Sequence, residues 1–170
     1  MKRLLLFFAL LFPMFGNADT PPSKFEAMLD GLLDGNVPQI SPDDLSQMME
    51  KEKNQFVLLD ARKKIEYEVS HLLGAEWIGY PDTNFSLLKK VPKDKKIVVY
   101  CSVGKRSEIV GKELLELGYK DVSNLRGGLF LWANEGRILV NRTSETKDVH
   151  PFSQKWGRWL NPEIPKKKKP

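Results

Sequence analysis

The chain of 170 residues holds one cysteine, Cys101, and two histidines. A single thiol excludes an internal disulfide framework. With so few soft ligands and no ligand-like spacing around His71 or His150, no metal site is expected. No apolar run reaches the roughly 18 residues that a membrane span needs. Also missing are a Ser-His-Asp arrangement, a phosphate-binding glycine-rich motif and any internal repeat. No basic helix interleaved with aromatics is present, so nucleic acid is not an expected partner. Hydrophobic residues make up 41% and charged residues 29%, which excludes a disordered or fibrous class. The length suits one domain with a real core.

The N-terminus reads as a secretory leader. "MKRLLLFFALLFPMFGNA" starts with Lys2 and Arg3, continues with an apolar stretch from Leu4 to Phe15 and ends in Gly16-Asn17-Ala18. Cleavage is expected before Asp19, leaving an exported protein, periplasmic or secreted, with no stable membrane insertion. The net charge of +5 is concentrated at the ends. Of 27 basic residues, two lie in the leader and four in Lys166–Lys169, which leaves 21 against 22 acidic residues in the body. A solvated tail is the expected role of the terminal lysines.

Four segments are expected: the leader 1–18, an N-terminal helix within 19–36, a main domain 37–135 and a C-terminal extension 136–170. Ser23 and Glu26 form a capping-box pattern, followed by Phe25, Met28, Leu29 and Leu32 at helical spacing. Ser41 with Pro42 starts a second helix. "QFVLLDAR", "GAEWIGY", "KIVVY" and "DVSNL" read as strands, "KKIEYEVS" and "SEIVGKELLELG" as helices. In the last helix, Val110, Leu114 and Leu117 share a face and Gly111 permits close packing. Strands alternating with helices predict an α/β sandwich with a mainly parallel sheet. In the extension, "ILV" reads as an edge strand and the aromatics of "HPFSQKWGRWL" as docking residues.

Cys101 follows "KIVVY" directly, where ligands bind in parallel sheets, beyond the carboxyl ends of the strands. The loop Cys101-Ser102-Val103-Gly104-Lys105-Arg106 then enters a helix expected near Ser107. Inward N–H groups, the helix N-terminus and the charges of Lys105 and Arg106 all favour a thiolate over a thiol. Gly104 supplies the freedom that the turn needs. Cys101 is therefore the candidate nucleophile, and Ser102 to Ser107 the candidate substrate cradle.

These residues resemble a single-domain rhodanese, a thiosulfate sulfurtransferase fold. "DARKKIEYEVSHLLGAEWI" (60–78) is similar to the family's first signature, through Asp60, Ala61, Arg62, Glu66, Tyr67, His71, Gly74 and Ala75. "YCSVGKRS" is similar to the active-site loop, and "LGYKDVSNLRGGLFLW" to the downstream signature with Gly127, Gly128 and Trp132. The resemblance covers about residues 37 to 135 and implies a rhodanese-like three-layer sandwich with helices on both faces. Ser70, Gly79 and the delayed Pro81 depart from the family pattern in loop positions. Ser102 stands where thiosulfate-specific members often carry a basic residue, which leaves the donor open.

The Cys-x4-Arg loop is one residue shorter than the Cys-x5-Arg loop of related phosphatases and arsenate reductases, so the resemblance implies sulfur chemistry over phosphate chemistry. It implies a persulfide on Cys101, a small anionic sulfur donor, a thiol or cyanide acceptor, and no metal or organic cofactor. It gives His71 a structural place at a strand start. Asp60 and Arg62 either line the pocket or pair with each other. The alternative is a non-catalytic module that binds sulfur or protein, with the extension 136–170 as a surface for a protein partner.

Overall fold

The computed structural model describes residues 23–51 and 55–170. The expected leader and its cleavage site lie outside the described residues.

Five strands form a parallel sheet in the order β1-β5-β4-β2-β3, with β1 at Gln39–Ile40, β2 at Phe56–Asp60, β3 at Glu76–Trp77, β4 at Lys96–Tyr100 and β5 at Val122–Leu125. The helices are α1 (Lys24–Leu32), α2 (Pro42–Lys51), α3 (Lys64–Val69), α4 (Lys105–Glu116), α5 (Gly128–Asn134) and a short α6 (Gln154–Gly157). Strand side chains alternate between faces, and each face is covered. Ile97 and Val99 of β4 join a core with Val110 and Leu114 of α4. Val98 and Tyr100 join the opposite core, with Leu29, Leu45, Leu129 and Phe130. The result is an α/β sandwich in three layers, a parallel sheet with helices on both faces.

Local details refine the expected elements. Ser23 Oγ accepts from the Glu26 N–H at 3.2 Å. The Glu26 carboxylate, however, binds Arg126 instead of closing the box. Ser41 caps α2 through the Asp44 N–H. Gly111 faces Val37, whose methyls would lie 3.1 Å from an added Cβ, so the close approach is real. Leu117, expected on the buried face, is 49% exposed because it sits at the end of α4. "GAEWIGY" contributes only the two strand residues of β3. "ILV" contributes β6 (Leu139–Val140), which pairs antiparallel with β7 (Glu145–Thr146) away from the main sheet.

Both ends of the described chain fold back on this body. Phe25 of α1 stacks on Trp159 at 5.7 Å, and Leu160 is buried in the same core as Leu29. Among the described residues, no helix is long and apolar enough to cross a membrane.

Candidate active site around Cys101

β4 is buried from Ile97 to Tyr100 and ends by delivering Cys101 to the carboxyl edge of the sheet. The turn is sharp because Gly104 adopts φ +108°, a conformation that L side chains rarely take. Helix α4 starts at Lys105, two residues before the expected Ser107, since Gly104 itself is the N-cap. Lys105 and Arg106 therefore belong to the first helical turn, and the cradle proper is Cys101 to Gly104.

The backbone of this turn points donors at the sulfur. Gly104 N–H donates to Cys101 Sγ at 3.2 Å. The loop carbonyls are tied off elsewhere. Leu129 N–H donates to the Cys101 carbonyl and Phe130 N–H to the Ser102 carbonyl, each at 2.9 Å. These two amides come from the first turn of α5, where intrahelical acceptors are missing. Gly128 allows the approach: a Cβ there would lie 2.3 Å from the Cys101 carbonyl oxygen. The Gly104 carbonyl accepts from Asn124 Nδ2 at 3.0 Å, and Asn124 Oδ1 accepts from the Ser107 hydroxyl at 2.7 Å.

Electrostatics add to the geometry. Burial pushes the Cys101 thiol up. The Arg106 charge, the Ser107 hydroxyl and the amides of Ser107 and Val103 outweigh it, so the thiol lies below its ordinary value. Arg106 is held in place by Glu66, whose two oxygens accept from Arg106 Nη1 at 2.8 Å and Nη2 at 2.9 Å. Glu66 also accepts from the Ser102 hydroxyl at 3.2 Å and from the Lys63 N–H at 3.1 Å. Burial opposes its charge, but Arg106 and then Arg62 keep the carboxyl below the usual range. Glu66 is thus part of the site, although the sequence marks it only as a signature position. Its partner lies 40 residues away, a pairing that local pattern cannot reveal.

The predicted residues separate into two groups. Cys101, Ser102, Val103, Gly104, Arg106 and Ser107 assemble around the sulfur. The Lys105 side chain does not join them. Its ammonium is drawn away to Asp34 at 2.5 Å and Glu108 at 3.6 Å.

Asp60 and Arg62 do not line an open pocket. Both are fully buried and paired at 2.6 Å, with Arg62 Nη2 also donating to the Ser70 carbonyl. The Tyr100 hydroxyl, pushed up by burial and then by the Asp60 charge, stays protonated against this pair. The pair ties the end of β2 to the C-terminal end of α3 through the Ser70 carbonyl. His71 bridges to Val140 and stacks on Tyr67 at 3.9 Å, away from the thiol's hydrogen bonds.

His150 and Phe152 of the extension reach the same place. The Phe152 ring covers the Arg106 guanidinium at 4.7 Å, and His150 lies within the fields of Glu66, Arg62 and Arg106. Cys101 itself is 1% exposed. Among the described residues, no group of three or more histidine, cysteine or acidic side chains could hold a metal ion.

Residues 41–135 match the rhodanese-like domain family. The probable adenylyltransferase/sulfurtransferase MoeZ of Mycobacterium tuberculosis is 30% identical over 97 residues, 56% of this chain and 24% of its own length. A sulfurtransferase of Allochromatium vinosum is 42% identical over 53 residues, 31% of this chain and 50% of its own length. The chain thus spans about a quarter to a half of these curated relatives. A rhodanese-like domain from Anabaena sp. superposes with a TM-score of 0.56 at 26% identity, covering 61% of this chain and 79% of that one. The thiosulfate sulfurtransferase of Pseudomonas aeruginosa superposes at 0.59 with 20% identity, covering 79% and 26%, a likeness of fold.

Proposed function

Since the chain belongs to the rhodanese-like domain family, we propose that it is a sulfurtransferase whose sulfur travels on Cys101. The observation that carries this reading is the Gly104 N–H at 3.2 Å from Sγ, in a loop whose carbonyls are tied to α5. Relatives described as sulfurtransferases support sulfur transfer in general.

In the proposed reaction the Cys101 thiolate attacks the outer sulfur of a donor such as thiosulfate. The donor's S–S bond breaks and its electron pair leaves on sulfite. Cys101 then carries a persulfide whose terminal anion meets the loop amides. An acceptor, cyanide in an assay or a thiol in a cell, attacks that terminal sulfur, and the pair of the Cys–S bond returns to Cys101. The cycle is balanced without an oxidant and is covalent catalysis of the double-displacement type. With Arg106 and the amides already favouring the thiolate, no general base is required. We further propose that the protein works after export, on the strength of its leader-like first 18 residues.

The test is thiocyanate formation from thiosulfate and cyanide by the chain from Asp19 onward, beside Cys101→Ser. Saturable, ping-pong activity confined to the cysteine form is the expected result. Equal activity in the serine variant would refute the role of Cys101. A binding module without turnover is the second reading, favoured by the near-complete burial of the thiol. It predicts no turnover with any donor.

A further inference from the structure

The loop carries two cations, and neither is left over for a substrate. Lys105 is drawn to Asp34 and Glu108, and Arg106 is held bidentate by Glu66. If the sulfur donor is anionic, the positive charge that attracts it has to come from elsewhere.

The C-terminal tail is one such source, and it is not a loose end. Val149, fully buried, donates its N–H to the Pro165 carbonyl at 2.9 Å and accepts from the Lys167 N–H at 3.0 Å, forming a parallel bridge with Lys166. One residue on, the His150 ring engages the Lys168 carbonyl, while its Nδ1 accepts from the Phe152 N–H at 3.0 Å. Phe152 then lays its ring on Arg106. It does so from φ +59°, the left-handed region that a bulky side chain enters only when held there. A continuous set of contacts therefore runs from the lysine tail through His150 and Phe152 to Arg106 beside the thiol.

Lys166 to Lys169 are exposed along this path. Lys167 approaches Asp148 at 3.4 Å. Glu66, which accepts from the Ser102 hydroxyl, is already occupied by Arg106. The body of the chain is close to neutral in sum, so the tail adds a concentrated positive charge, of which Lys167 is paired with Asp148.

We propose that the C-terminal strap and its lysines form a cationic entrance to the Cys101 site, selecting small anionic reagents such as a sulfane-sulfur anion over neutral ones. This inference rests on the reading of Cys101 as the reacting nucleophile, and its test does not require sulfur transfer. Cys101, the only thiol in the chain, is alkylated with iodoacetate, an anion, and with iodoacetamide, its neutral counterpart. Rates are compared for the wild type, for Lys166→Ala/Lys168→Ala/Lys169→Ala, and for Lys89→Ala/Lys90→Ala/Lys120→Ala. The last variant removes the same charge from exposed positions near the opposite end of β4.

At low ionic strength the iodoacetate-to-iodoacetamide rate ratio should fall roughly three- to ten-fold in the tail variant, at or below the low end of what a focused field gives an anion. It should stay near wild type in the control. About 0.5 M salt should erase the difference between wild type and the tail variant, because such charges are screened within a few ångströms. An unchanged ratio in the tail variant, or an equal fall in the control, would overturn the proposal. So would a folded protein that neither reagent can alkylate. A ratio lost only in the tail variant supports the entrance even if no donor loads sulfur, in which case the transfer reading alone fails.

Discussion

At the scale of single residues, the site is a contest between burial and preorganised charge. Burial alone would keep Cys101 a thiol, and Arg106 with the turn amides reverses that. The pH profile of iodoacetamide alkylation should therefore show its inflection below that of a free thiol. Replacing Glu66 and Arg106 together with glutamine removes the ion pair without stranding one charge, and should move the inflection upward. An unmoved inflection would show that the amides suffice.

Arg106→Gln alone is a different experiment. It leaves Glu66 buried without its partner and should cost about 3 kcal/mol of stability in urea unfolding. Glu66 also predicts a pH dependence. Its carboxyl is depressed when folded, so its contribution is fully present above the unfolded value of about 4.5 and is lost as pH falls through the lower folded value. Glu66→Gln should be less stable near neutrality and should lack that share of the acid-induced loss, read as unfolding midpoints between roughly pH 3 and 7. Parallel curves for the two proteins would contradict this. Gly128→Ala places a methyl against the Cys101 carbonyl. It should destabilise by roughly 1–3 kcal/mol through overpacking and disturb the sulfur cradle first.

At the scale of elements, two helix starts and one carboxylate build the cradle. Helix α4 supplies donors to the sulfur, and α5 holds the loop carbonyls back. Glu108 of α4 accepts the N–H groups of Asp34 and Gly35 at 3.0 and 2.8 Å and of Asn36 at 3.3 Å, tying the segment after α1 to the site. Glu108→Ala should strand these partly buried amides and lower stability by roughly 1–3 kcal/mol, measured by urea midpoint. No change would mean that the N-terminal segment is independent of the main domain.

Much of this level was legible in the sequence. The alternating apolar runs gave away the strands, and the position of Cys101 after "KIVVY" with Gly104 three residues on marked the turn. The start of α4 was misplaced because Lys105 and Arg106 read as loop cations, whereas a left-handed Gly104 can cap a helix without any side chain. Asp60 and Arg62 showed as polar residues at a strand end. Only the tertiary fold decides between solvent and a buried pair, and it buries them.

At the scale of the whole molecule, the ends of the described chain interlock over one pole of the sheet. Phe25 meets Trp159, Arg126 meets Glu26 and Asp30, and Phe152 meets Arg106. These contacts join residues up to 134 positions apart, counted from Phe25 to Trp159, and no periodicity encodes them. The lysines of the tail are exposed, as a solvated tail requires, but their main chain is seated on the body. Composition registers the charge of Lys166–Lys169 but not the bridge to Val149 that seats it.

The most direct measurement of the central claim is intact-mass analysis after incubation with a sulfane-sulfur donor, thiosulfate first and polysulfide second. The account predicts the added mass of one sulfur atom, located on the peptide containing Cys101, removed by cyanide or a thiol and absent from Cys101→Ser. Folded protein that takes up no sulfur at Cys101 from either donor would contradict it.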